Sequence, residues 1–198
     1  MINERMVAAA LAVTDNSEKI RRLIEACRKS AESNLLQYNR HSPTFLAIAG
    51  KKIFVIGSSF GSQGAKNDFY GHCRLVAVAN RAEIAILTCE SWHAVDPDVQ
   101  AGKILPSQSP RRKECVSILL ETYDERYFTM CPILRNRAGV CKKLDKAIAH
   151  ECRTTSSGPA SDFLPPRESA EAMVAGARQI LMMNGLNSDG SRIDVMLN

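Results

Sequence analysis

The chain has no apolar run near the ~18 to 20 residues of a membrane-spanning helix, no Cys-x-x-Cys pair, no internal repeat and one tryptophan in 198 residues. Each absence excludes something. Without the long run, no span is expected. The acid at Glu4 and the asparagine before it precede only a short apolar stretch, so no secretory leader is expected. The seven cysteines (Cys27, Cys73, Cys89, Cys115, Cys131, Cys141, Cys152) are odd in number and mostly sit in apolar segments. They read as free thiols acting as small hydrophobes, which suits a reducing, cytoplasmic compartment. With 11 Gly, 8 Pro and a charged fraction of 24%, the collagen, coiled-coil and disordered classes are excluded too.

What is present is a modest cationic surplus, unevenly placed. The chain has 26 Lys+Arg against 21 Asp+Glu, yet residues 151–198 alone carry four basic and six acidic groups. The surplus therefore lies in the first three quarters. It permits attraction to nucleic acid or to an acidic protein without requiring either.

Apolar spacing gives the elements. Met6, Val7, Ala10 and Leu11 form a short helical stripe, and Asp15 with Glu18 forms a capping box that opens a second helix. Its stripe is Ile20, Leu23, Ile24, Cys27, Ala31, Leu35 and Tyr38. Strand pairs are expected at Thr44–Ala49 with Lys52–Gly57 around Gly50–Lys51, at Leu75–Ala79 with Ile84–Cys89 around Asn80–Ala82, and at Cys115–Glu121 with Tyr127–Leu134. Pro132 should place its strand at an edge or end it early. Thr44–Ala49, Ile53–Ile56 and Ile84–Leu87 are apolar at both parities, so both faces of these strands should be covered, by helices or by a second subunit. After the Thr154–Leu164 loop and Pro165–Pro166, a C-terminal helix carries Ala170, Met173, Val174, Ala177, Ile180 and Leu181, with Gly185 as its cap. The fold class expected is α+β: N-terminal helices, a mostly antiparallel sheet of about six strands and a C-terminal helix. Residues 1–186 should form a single domain and 187–198 a weakly packed tail.

Three segments could carry chemistry. Gly57–Lys66 leaves a strand with three Gly, three Ser and a Lys, as a phosphate-cradling loop would; it matches neither nucleotide-binding glycine motif, no strong helix signal follows, and a surface connection is the expectation. The strand exit at 90–98 gathers Glu90, Trp92, His93, Asp96 and Asp98. Glu90 and His93 are the candidates for acid/base catalysis, and His93, Asp96 and Asp98 for metal ligation. Strand parity puts Glu90 and His93 on opposite faces unless a bulge intervenes. The third candidate is basic: Arg111, Arg112 and Lys113 begin one strand, Arg135 and Arg137 end its neighbour, and Lys142, Lys143 and Lys146 follow. Hairpin geometry brings the first two groups together, and a helix over 140–153 would align Lys142, Lys146, His150 and Arg153. A solvated face is the ordinary reading of such charges. The histidines His41, His72, His93 and His150 show no ligand spacing, and no cofactor is implied.

Glu90-Ser-Trp92, followed by Pro106-Ser-Gln-Ser-Pro110, Arg112, Glu114 and the strand to Glu121, resembles small uncharacterised bacterial and phage-borne proteins. In these a Glu-x-Trp strand end precedes a Pro-Ser-x-x-Pro-x-Arg-x-Glu strand start. The resemblance covers residues 90–121 and implies a mobile-element origin; the family has no assigned activity. The leading expectation is a non-enzymatic cytoplasmic protein-binding module that binds another protein or itself as a homodimer, for instance a phage or mobile-element regulator of a host complex. Its binding residues would be Trp92 and the cations named above. The alternatives are a nucleic-acid-binding protein using the basic patch and a metal-dependent hydrolase at 90–98. No membrane partner is expected.

Overall fold

The computed structural model describes residues 2–59, 62–150, 162–164 and 171–192. Helix α1 spans Glu4–Leu11 and α2 spans Asn16–Tyr38. As the capping box predicts, the Asp15 carboxylate accepts the Glu18 N–H at 2.7 Å, satisfying a donor that the first turn would otherwise orphan. The α2 stripe is buried at Ile20, Leu23, Cys27, Ala31 and Leu35, and each large apolar side chain so covered stabilises the fold by about 2 kcal/mol. Tyr38, expected in that stripe, is exposed. The helix stops at Asn39, whose φ of 56° is the left-handed cap that asparagine tolerates.

Strands β1 (Thr44–Ala49) and β2 (Lys52–Gly57) form the expected hairpin, paired from Thr44↔Gly57 to Ala49↔Lys52. Gly50, at φ +57°, sits at the first central position of the two-residue turn, where a positive φ requires glycine. The next element corrects the sequence reading. Residues Gln63–Ala79 are a helix, α3, so Leu75–Ala79 is its last turn and not a strand. Its buried residues Phe69, Tyr70, Cys73, Val76 and Ala77 recur at helical spacing, but the run Leu75–Ala79 by itself has no period to separate helix from strand. The start signal is Ser62, whose side chain caps the Ala65 N–H at 3.1 Å. A helix therefore does follow the Gly57–Lys66 segment, and Gln63–Lys66 belong to it.

Strands β3 (Ile84–His93), β4 (Lys113–Thr122) and β5 (Arg126–Arg135) follow, with a short helix α4 (Pro97–Gln100) and a single 3-10 turn at Pro106–Gln108 between β3 and β4. Strand β6 is Cys141–Leu144 and β7 is Ile148–His150, so of the helix and strand alternatives open at 140–153, its described part is strand. Asn136 decides this: its side-chain oxygen accepts from Ala138 N at 3.0 Å and Val140 N at 2.9 Å, and Gly139 at φ +76° completes a turn that returns the chain along β5. Arg153 lies outside the described residues. The strand order is β2-β1-β3-β4-β5-β6, with β7 also on β5; the fold is α+β with a mostly antiparallel sheet.

Pro132 neither ends β5 nor places it at an edge. Ile133–Arg135 pair with β6 and Phe128–Met130 with β7, so the proline sits where β5 changes partners. A ring without N–H is harmless there, and its carbonyl accepts from Asp145 N at 2.8 Å.

Helix α5 (Glu171–Met183) buries Val174, Ala177 and Leu181 but exposes Met173 and Ile180. Gly185, at φ +71°, caps it as expected. The described part of the expected tail, 187–192, forms a turn bridged by Leu186↔Arg192.

The chain folds as two compact units: Met1–Pro43, Thr88–Leu119 and Tyr127–Cys152 in the first, and Thr44–Leu87, Leu120–Arg126 and Arg153–Asn198 in the second. In the first, α1 packs on α2 and α2 on β6; in the second, α3 packs on β1 and α5. Phe45, Leu46, Ala47 and Ile48 are all buried. The chain thus covers both faces of β1 itself, and this strand gives no ground for a second subunit; in β2 the expected cover is incomplete, with Ile53, Phe54 and Ile56 half-buried and Val55 exposed. Among the described residues no helix is long and apolar enough to cross a membrane.

Candidate functional site

In the first unit, strand parity places Glu90 and Trp92 on one face of β3, and Arg112 with Glu114 on one face at the start of β4. Arg135, at the end of β5, gathers them. Its Nε donates to Glu114 Oε2, and a terminal nitrogen lies 3.9 Å from Glu90 Oε2. The strand start does face its partner's end, as the hairpin geometry predicts, but the contact there is Arg against Glu, not cation beside cation.

Helix α2 supplies the rest. Asn39 Oδ1 accepts from Arg135 at 2.6 Å and from Cys141 N at 2.8 Å, and its amide nitrogen donates to Gly139 O at 3.2 Å. The left-handed cap aims this side chain away from its own helix. Two residues on, the His41 N–H donates to Glu90 Oε1. The His41 ring is buried between Asn34 Nδ2, 3.3 Å from Nδ1, and Thr88 Oγ1, 2.8 Å from Nε2. The Asn34 amide nitrogen can only donate, so Nδ1 accepts and Nε2–H donates to the threonine. That arrangement requires the neutral ring, and burial pulls its pKa from the ordinary 6.5 down to about 4.

Two residues beyond Glu90, the Trp92 ring carries the Arg112 guanidinium 5.2 Å from its centroid, and Trp92 is 41% exposed. Glu90, Trp92, Arg112 and Glu114 are among the residues that carry the sequence resemblance. Among the contacts of the described residues, Arg135 meets both carboxylates and Arg112 meets the Trp92 ring.

The other candidates disperse. Strand β3 continues to His93, so parity keeps Glu90 and His93 on opposite faces, and Glu90 is already engaged by His41 N and Arg135. Asp96 caps α4 by accepting Asp98 N at 3.0 Å and also accepts the buried Ser109 hydroxyl at 2.6 Å; the Ser109 bond first, then the backbone bond, holds its pKa below the usual carboxylate value. Asp98 pairs with Lys103 at 3.3 Å. Among the described residues, no three His, Cys, Asp or Glu side chains are grouped as a metal ion would require. The buried thiols are poor nucleophiles: burial pushes Cys27 up to about 12 and Cys131 up to about 11, and Cys115 also up.

The cations divide. Arg112 and Arg135 join the cluster, on the side that α2 covers. Lys113 and Lys143 occupy the alternate positions of β4 and β6, which face the other way. Arg111, Arg137, Lys142 and Lys146 are exposed. None of these last six forms an ion pair among the described residues.

Asn39, His41, Asn34 and Thr88 escaped the sequence reading. An asparagine directly after a predicted helix is a legible cap signal, but nothing in the sequence ties it to an arginine 96 residues away. No family model matches the chain, and neither a curated protein nor a solved structure is similar enough to place it.

Proposed function

We propose that the chain is a non-enzymatic protein-binding module whose contact surface centres on Trp92 and Arg112. The observation that carries this reading is the exposed Trp92–Arg112 stack beside a charge network with no unspent base or nucleophile. Tryptophan, tyrosine and arginine dominate the energetic centres of protein interfaces, because a rigid, half-wet aromatic gains most when a partner removes it from water. The surroundings suit this. Leu36 and the exposed Tyr38 lie at the end of α2 just before Asn39, and the exposed Val140 follows Gly139; Asn39 and Gly139 both bind Arg135. The partner is another protein or a second copy of the chain. Free buried thiols favour a reducing, cytoplasmic setting, and the resemblance over 90–121 is the ground for a phage or mobile-element regulator of a host complex.

The test is capture from native lysate with and without nuclease, using wild type, Trp92→Ala and Arg112→Glu. A partner retained after nuclease and lost in both variants, with their melting temperature unchanged, is the expected result. Capture that both variants preserve overturns the reading. A second reading, sequence-independent nucleic-acid binding, draws on the six cations named above, which form no ion pair among the described residues. It predicts capture that nuclease abolishes and duplex binding that weakens steeply with salt. The metal-dependent hydrolase finds no support in the dispersal of Glu90, His93, Asp96 and Asp98.

A further inference from the structure

The sheet ends in two edge strands of opposite character. At β6, two outward backbone donors are occupied: Cys141 N binds Asn39 Oδ1, and Leu144 N binds Glu32 Oε1 at 3.0 Å. Lys142 and Lys143 lie between them, and charge on an edge opposes further pairing. At β2 the outward donors have no such side-chain acceptor among the described residues, and the strand's one charge, Lys52, sits beside the turn. Ala49↔Lys52 flanks a two-residue turn and so exchanges the hairpin's first hydrogen bonds; alternation then turns the N–H and C=O groups of Ile53, Val55 and Gly57 to the open side. Ile53–Ile56 contains neither a charge nor a proline, and Val55 is exposed.

A groove of about 590 Å³ runs along this strand, lined by Lys52–Gly57 and by Asp189, Gly190 and Ser191. Its far wall is fixed. Asn80, at the end of α3, donates to Ser188 O at 2.6 Å, and Gly190 lies so close to α3 that a Cβ there would stand 3.0 Å from His72 Nε2. Asp189 Oδ1 accepts from Ser191 N and Oγ at 2.8 and 2.6 Å. Its second oxygen has no partner among the described residues.

We propose that the β2 edge is a strand-addition site for an extended peptide of a partner protein, with a cationic side chain of that peptide meeting Asp189. The ladder, unpaired among the described residues, dictates an extended backbone, and Asp189, the one carboxylate in a lining whose one cation is Lys52, sets the charge of the side chain it meets. A second copy fits less well. A six-residue edge about 20 Å long covers only a few hundred Å² of each chain, against roughly 800 Å² per partner in a stable dimer. The proposal does not rest on the Trp92 reading, and Trp92→Ala should leave peptide binding intact.

The probe is a fluorescein-labelled heptapeptide of alternating valine and threonine with a central lysine. A version with glutamate in place of lysine, and one with alternate backbone amides N-methylated, serve as comparisons. The lysine peptide should bind and slow amide exchange at Ile53, Val55 and Gly57. The glutamate peptide should bind about tenfold more weakly, and the methylated one not at all. Val55→Pro, which removes an outward donor that β1 does not use, should abolish binding. Asp189→Lys, which leaves the backbone untouched, should reverse the lysine-over-glutamate preference. No saturable binding of either unmethylated peptide at millimolar concentration overturns the proposal, as does equal binding of the methylated peptide. Protection of the same three amides on raising protein concentration alone also overturns it, in favour of a second copy.

Discussion

Each unit holds an arginine between two carboxylates, and the two clusters serve different ends. In the first unit Arg135 lies between Glu90 and Glu114, whose side chains remain 34% and 35% exposed. In the second unit Arg126 lies between Glu121 and Asp162, and the Glu121 side chain is only 5% exposed. Glu121 also accepts the Phe163 N–H at 3.0 Å. Phe163 is buried against Phe45 at 4.9 Å and Tyr70 at 6.2 Å, with Arg74 5.4 Å over its ring. The same ion-pair chemistry borders a wet surface in one unit and ties residues 162–164 into the core in the other. Burial, not the identity of the pair, should set the energy of each, since solvent screens the first and desolvation makes the second costly to leave incomplete.

The sharpest way to break this comparison is Glu121→Ala. It leaves the buried Phe163 N–H without its acceptor and Arg126 with Asp162 alone, and the expected loss is about 3 to 4 kcal/mol, measured as a lower urea midpoint at constant m. A loss under about 1 kcal/mol would mean the second cluster is as solvent-screened as the first.

Acid should loosen the first cluster before the second, through His41. Its ring titrates near its ordinary 6.5 when unfolded and at about 4 when folded. Between those values the unfolded chain binds a proton that the folded chain does not. The stabilisation from the neutral ring is therefore complete above pH 6.5 and is lost as pH falls to 4, amounting to about 3 kcal/mol. His41→Gln should flatten the stability profile across that window. In wild type, amide exchange should rise around His41 and its neighbours Asn34, Thr88 and Glu90 before it rises at Phe163.

The smallest effect is expected from Arg135→Met. Glu90 and Glu114 can turn toward water, so the cost should be about 1 to 2 kcal/mol by the same urea titration. If it equals or exceeds that of Glu121→Ala, exposure is the wrong variable for ranking the two clusters.

How far these clusters were legible depends on sequence distance. The Asp15 cap, the α2 stripe, the Gly50–Lys51 hairpin and the Gly185 cap were readable because each depends on residues within about four positions of one another. Leu75–Ala79 was misread because a short apolar run carries no period, while the choice between helix and strand at 140–153 was open in the sequence, and the Asn136 turn and pairing with β5 decide its described part. For the site, parity correctly separated Glu90 from His93, and hairpin geometry correctly brought the start of β4 to the end of β5. What that geometry could not supply was the sign of the neighbour: Arg135 met Glu114 and Glu90, so a cation of the expected patch became the centre of an ion-pair network.

By itself, then, the sequence determined the α+β class, most of the described helices and strands, the burial of most of the described thiols and the meeting of the start of β4 with the end of β5. Only the tertiary structure decided that Asn39 and His41 complete the Arg135 cluster, that Glu121 reaches Phe163, and that one sheet edge is capped while the other lies open along a groove. Local elements follow from side-chain period and backbone preference, which act over a few residues. Partner choice between distant side chains, and which backbone donors go unpaired, depend on how the elements pack, and no local spacing carries that information.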